Sequence, residues 1–162
     1  MTLAITLAIV LWLGSMGLPG SRAVRAQTAV EPALGSFEVR DGGIDTMLAA
    51  GGGDPGRGRQ VVVDAQRGNC LICHKITDVN EHRFQGDIGP SLDAVGERMS
   101  AAQLRLRIVD STRINADSVM PAYHRTAGLK RVAARWRNKP VLSAGEVEDV
   151  VAYLRTLRGA KQ

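Results

Sequence analysis

The chain has 162 residues, which on length alone is one domain. A formal net charge of +5, with 44% hydrophobic and 23% charged residues, excludes a disordered tail. Two cysteines exclude a disulfide-dense scaffold, and 4% aromatic residues leave a core short of rings, so something other than side chains is expected to fill part of the interior.

From Met1 to Leu18 nearly every residue is apolar; Pro19-Gly20 then breaks any helix, and Val24-Arg25-Ala26 offers small residues for cleavage. Residues 1–26 therefore read as a secretory signal peptide, although no Lys or Arg precedes the apolar run. The rival reading is an uncleaved anchor. An apolar run ending at Leu18, with Ser15 and Gly17 inside it, falls short of the roughly 20 residues a span needs. No stable membrane span is expected. The aromatic residues beyond the leader are Phe37, Phe84, Tyr123, Trp136 and Tyr153.

Residues 27–57 carry no periodic apolar stripe and are rich in glycine, as in Gly51-Gly52-Gly53-Asp54-Pro55-Gly56. They are expected to form an irregular N-terminal arm on the surface, with a short strand at Ser36 to Arg40. The folded unit is then 58–162, without internal repeats and mostly helical. A first short helix is expected from Gly58 to Gln66. Ser100-Ala101-Ala102-Gln103 and Ser143-Ala144-Gly145-Glu146 have capping-box spacing, in which the serine hydroxyl meets an orphan N–H and the third residue reaches back. Leu104 and Ile108 follow the first box. Val147, Val150, Val151, Leu154 and Leu157 follow the second, as the apolar face of a terminal helix. Leu129, Val132, Ala133 and Trp136 form a third stripe at helical spacing.

Cys70-Leu71-Ile72-Cys73-His74 is C-x-x-C-H, the attachment signature of a c-type haem. Two thiols reach the two vinyl groups of one porphyrin, and the next residue places an imidazole under the iron. A thioredoxin-type site would need a βαβ pattern around the cysteines, and a structural zinc would need a second pair of ligands. Neither is visible. A hexacoordinate iron needs a second axial ligand, for which the candidates are His82, His124, Met47, Met99 and Met120. His82 is too close in sequence to cross easily to the opposite haem face, Met47 sits in the glycine-rich arm, and Met99 directly precedes a capping box. Met120, followed by the stiffening Pro121, is far enough downstream to pass round the haem edge, and His124 is its alternative.

C-x-x-C-H, Gly89-Pro90-Ser91-Leu92, Met120-Pro121 and the closing amphipathic helix together resemble an all-α class I cytochrome c domain wrapped around one covalent haem. In such domains the proline carbonyl of G-P-x-L accepts the Nδ1–H of the proximal histidine, orienting the ring. The resemblance assigns those parts to Pro90 and His74. Three stretches are similar to the SoxX family, the monohaem subunits of SoxAX sulfur-oxidation cytochromes: 68–74, Met120-Pro121-Ala122-Tyr123-His124 and 147–154. Gly128-Leu129, Arg131-Val132-Ala133 and Lys139-Pro140-Val141-Leu142 match the same family.

By this resemblance Cys70 and Cys73 hold one haem c covalently, and His74 and Met120 ligate the iron. The family's heterodimer, an L-cysteine S-thiosulfotransferase, couples thiosulfate to a cysteine of a sulfur-carrier protein and releases two electrons to a cytochrome c. The SoxA-type partner bears the reactive cysteine, so no catalytic residue is expected on this chain. Its own part would be redox, in the periplasm. A free-standing electron shuttle is the alternative function. The segment 121–142 contains Arg125, Lys130, Arg131, Arg135, Arg137 and Lys139 and no acid. Such a run reads either as a solvated face or as a surface that attracts thiosulfate or an acidic partner. A nucleic-acid partner is not expected of an exported haem protein.

Overall fold

In the computed structural model the described residues are 37–159. The expected leader at 1–26 lies outside them, and no described helix is long and apolar enough to cross a membrane. The architecture is all-α, with no strand among the described residues. Its helices are α1 (Pro55–Val63), α2 (Val95–Arg98), α3 (Ala101–Asp110) and α4 (Ala144–Thr156), joined by irregular segments and four short 3-10 turns.

Helix α1 begins at Pro55, three residues before the expected Gly58, because Asp54 caps it by accepting from the Arg57 N–H at 2.7 Å. Proline at the first helical position loses nothing, since its missing N–H would be an orphan there. The helix also ends earlier than expected, at Val63, where Asp64 turns to an extended conformation. Helices α3 and α4 begin at their capping boxes, with both reciprocal bonds made at Ser100/Gln103 and at Ser143/Glu146.

The core is one cluster. Val61 and Val62 of α1 meet Val147, Val150, Val151 and Leu154 of α4, and Leu104, Leu106, Ile108 and Val109 of α3 complete it. Each fully buried aliphatic side chain contributes roughly 1.5–3 kcal/mol. Helices α1 and α4 cross closely because Gly58 lies on the backbone of Asp149, where a Cβ would collide with the Asp149 carbonyl.

Two acids on the inner side of α4 tie the N-terminal segment down. Glu148 and Arg105, both almost wholly buried, form a two-pronged pair at 2.8 and 2.9 Å. Glu148 also accepts from the Leu48 N–H at 2.8 Å, and Arg105 donates to the Ile44 carbonyl at 2.6 Å. Asp149 accepts from the Arg57 guanidinium and from the Asp54 N–H. The arm therefore does not simply lie on the surface. Glu38 to Gly42 are exposed, but Gly43 and Ile44 are buried against α3, with the Ile44 N–H bonded to the Ala102 carbonyl at 3.0 Å. The strand expected at Ser36–Arg40 is reduced to one isolated bridge between Arg40 and Gly43; Ser36 lies outside the described residues.

The stripe Leu129–Val132–Ala133–Trp136 is not a helix. Gly128 (φ 72°) and Arg131 (φ 57°) are left-handed, which a right-handed helix cannot accommodate, and only the turn Ala134–Trp136 is helical in any sense. Leu129 and Ala133 are exposed, while Val132 and Trp136 are half-buried.

Candidate functional site

Asn69, left-handed at φ 47°, turns the chain into the 3-10 turn Cys70–Ile72, which puts Cys70, Cys73 and His74 on consecutive steps. The His74 N–H bonds the Cys70 carbonyl at 2.9 Å and the Cys73 N–H bonds it at 3.2 Å. Cys70 and Cys73 form no disulfide. Burial, with the neighbouring Cys73 adding to it, pushes the Cys70 thiol up to about 12. Among the described residues no three His, Cys, Asp or Glu side chains converge on a point that could hold an ion.

Residues 86–92 brace this turn. The Gly86 N–H bonds the Leu71 carbonyl at 2.8 Å, the Gly89 N–H bonds the Cys73 carbonyl at 2.8 Å, and the Leu92 N–H bonds the Lys75 carbonyl at 2.9 Å. Gly89 lies flat on the His74 ring; a Cβ there would come within 2.6 Å of Nδ1 and 2.9 Å of Nε2. The Pro90 carbonyl oxygen is 2.7 Å from His74 Nδ1. That contact assigns the proton to Nδ1 and leaves the Nε2 lone pair as the ring's free donor.

Met120, the expected distal ligand, lies in the loop after α3. Ser111 donates to the Met120 carbonyl at 2.9 Å, and the Met120 N–H bonds the Ser118 hydroxyl at 3.3 Å. Met120 itself is half-buried against the core cluster. Tyr123, three residues on, sends its hydroxyl to the Gly68 carbonyl at 2.8 Å, so the Met120 loop is joined to the segment that carries the cysteines. Burial first, then the nearby Cys70 and Cys73, raise the Tyr123 phenol above its ordinary range.

The other distal candidates are placed differently. Met47 is exposed on the arm, His82 sits at the surface within 3.8 Å of Glu81, and Met99 is half-buried against the core. His124 is buried, but its Nδ1 is 2.8 Å from the Leu142 carbonyl, a contact that ties the loop to the approach of α4. Arg125 corrects the expected run of unopposed cations, because it pairs at 3.1 Å with buried Asp110 at the end of α3. The sequence does not reveal the roles of Gly89 and Tyr123: Gly89 belongs to a motif whose recognisable part is the Pro90 carbonyl, and nothing marks Tyr123 beyond its nearness to Met120.

A crystal structure of SoxXA from P. pantotrophus is similar to this chain at 31% identity and TM-score 0.73, with 79% of this chain and 98% of that one covered. The chain belongs to the SoxX family. A SoxX-family protein is a c-type cytochrome; it carries covalent haem c, and its role is electron transfer. A second structure, the c-type cytochrome SorU from Sinorhizobium meliloti, is similar at 22% identity and TM-score 0.42, covering 65% of this chain and 91% of that one. No protein-family profile and no curated protein matches this chain.

Proposed function

We propose that this chain is the haem-bearing subunit of a two-chain SoxXA-type cytochrome that couples thiosulfate to a cysteine of a sulfur-carrier protein. The observation that carries the site assignment is the His74–Pro90 contact at 2.7 Å, with Gly89 pressed on the ring. Bound haem c supplies a one-electron ferric–ferrous couple. Cys70 and Cys73 hold it by thioether bonds. His74, oriented and made more basic by the Pro90 carbonyl, would hold the iron through Nε2. Met120 would hold it through its thioether, a ligand type that raises the reduction potential and suits an electron acceptor.

Both cysteines are spent on haem, so the thiol that reacts with thiosulfate belongs to the SoxA-type partner. The two electrons of the coupling leave through this chain one at a time, toward a downstream cytochrome c. Residues 1–26 act as the leader that delivers residues 27–162 to the periplasm, where covalent haem attachment takes place. The arm 27–57 and the segment 121–142, both beyond the needs of a minimal cytochrome, form much of the partner surface.

The test is reconstitution. The purified holo-chain alone exchanges electrons with a cytochrome but does not turn over thiosulfate with the carrier protein. Adding a SoxA-type subunit gives a stable heterodimer and activity. Turnover by this chain in isolation overturns the proposal, and failure to pair with any SoxA-type subunit leaves the free shuttle.

A further inference from the structure

Asp110 ends α3 and is almost wholly buried, at 1% exposure. A carboxylate taken out of water must be paired and hydrogen-bonded, and the partners of Asp110 sit at the two ends of the loop that carries Met120. On the outgoing side its Oδ1 accepts from the Thr112 N–H at 3.2 Å and from the Thr112 hydroxyl at 2.6 Å, which caps the 3-10 turn Ser111–Arg113. On the returning side its Oδ2 pairs with Arg125 Nη1 at 3.1 Å. The same Nη1 donates to the Thr112 hydroxyl oxygen at 3.3 Å, so Asp110, Thr112 and Arg125 form a closed triangle. The backbone runs beside it: the Tyr123 N–H bonds the Ile108 carbonyl at 3.1 Å, and the His124 N–H bonds the Val109 carbonyl at 3.3 Å.

Between these ends the loop holds itself only lightly. The Ile114, Asn115 and Ser118 N–H groups bond within the loop, Arg113 to Asp117 are exposed, and Val119 is exposed as well. A segment with few buried contacts opens at low free-energy cost unless its ends are fixed. Tyr123 ties this loop to the cysteine segment, and the pair at its base ties it to α3. The Ser111 hydroxyl, which bonds the Met120 carbonyl at 2.9 Å, belongs to the residue that follows Asp110. We propose that the Asp110–Arg125 ion pair is a positioning clamp, which closes the base of the loop 111–124 and so keeps the Met120 thioether in place against competing ligands. The inference rests on Met120 as the distal ligand; Asp110 and Arg125 act through the loop, as partners outside a ligand set orient the ligands.

The experiment is titration of the ferric holo-chain with imidazole, followed by loss of the iron–thioether band. Imidazole binds where the thioether has left, so its apparent affinity scales with the fraction of chains whose loop is open. Arg125→Met is expected to tighten imidazole binding about tenfold or more, the effect of losing one charge-assisted hydrogen bond. Arg57→Met breaks a comparable pair with Asp149, between α1 and α4 and away from the loop. It is expected to lower the denaturation midpoint and leave imidazole affinity as in the native chain. The double variant Asp110→Asn/Arg125→Met carries no stranded buried charge and serves if Arg125→Met fails to fold. It is expected to melt closer to the native chain than Arg125→Met and still to bind imidazole more tightly than the native chain. Met120→Ala separates this inference from the reading beneath it. A band that persists in Met120→Ala overturns both. A band that Met120→Ala abolishes, with native imidazole affinity in the clamp variants, overturns the clamp alone. Equal tightening by Arg57→Met also overturns it, because the effect then follows global stability.

Discussion

The Tyr123 hydroxyl donates to the Gly68 carbonyl oxygen at 2.8 Å, and this one bond joins the loop that carries Met120 to the turn that carries Cys70, Cys73 and His74. The two segments are far apart in sequence, and the proposed pairing of His74 with Met120 needs them held together. Tyr123→Phe strands the buried carbonyl, at a cost of about 1–3 kcal/mol. A lower denaturation midpoint is expected. The iron–thioether band is also expected to be lost at milder denaturant than in the native protein, as the Met120 loop detaches early.

Gly89→Ala puts a methyl group against the His74 ring, whose imidazole atoms are the nearest neighbours of the new carbon. The yield of low-spin holo-protein is expected to fall sharply. Gly145→Ala is the control, because a Cβ there meets nothing within 4 Å. It lies in the first turn of α4, where alanine is expected to raise stability by about 0.5–1 kcal/mol. Parallel haem-to-protein ratios and thermal melts of the two variants check both halves of the prediction.

Arg105→Met leaves Glu148 buried without its cation and frees the Ile44 carbonyl. A loss of about 3–5 kcal/mol is expected, since a buried charge stripped of its partner is penalised far beyond what the pair contributes. The double variant Arg105→Met/Glu148→Leu recovers much of it. Urea denaturation of the three chains tests the cycle.

These contacts mark where sequence reading succeeds and where it stops. Ser100/Gln103 and Ser143/Glu146 fix two helix starts because capping is local chemistry, complete within four residues. The start of α1 escapes the same reasoning because Asp54 and Pro55 are embedded in a glycine run that reads as loop. The Leu129 to Trp136 stripe has helical spacing, but spacing does not reveal that Arg131 turns left-handed. The burial of Arg105 is not legible in its neighbours along the chain; it follows from the approach of Glu148 from α4. The haem motif was legible because its residues are contiguous. The bracing of His74 by Gly89 was not, because a close approach leaves no trace in spacing.

Asp149 makes part of the stability pH-dependent. Hydrogen bonds from the Arg57 guanidinium, and then from the Asp54 N–H, outweigh burial and hold its carboxyl below the ordinary range. The folded value lies below the unfolded one of about 3.9, so the stabilisation is complete above that pH. It is lost as pH falls through the folded value. Denaturation midpoints of the native chain should therefore drop in acid, and those of Asp149→Asn should start lower and drop less.

The account rests most heavily on His74 and Met120 as the two axial ligands of one covalent haem, and an optical and potentiometric comparison of two variants tests it most directly. Met120→Ala is expected to abolish the iron–thioether charge-transfer band and lower the reduction potential, since a thioether ligand raises it. His124→Ala is expected to keep the band and stay close to the native potential, because the Met120 thioether remains in place. Persistence of the band in Met120→Ala, or loss of low-spin ligation in His124→Ala with Met120 intact, would contradict the account.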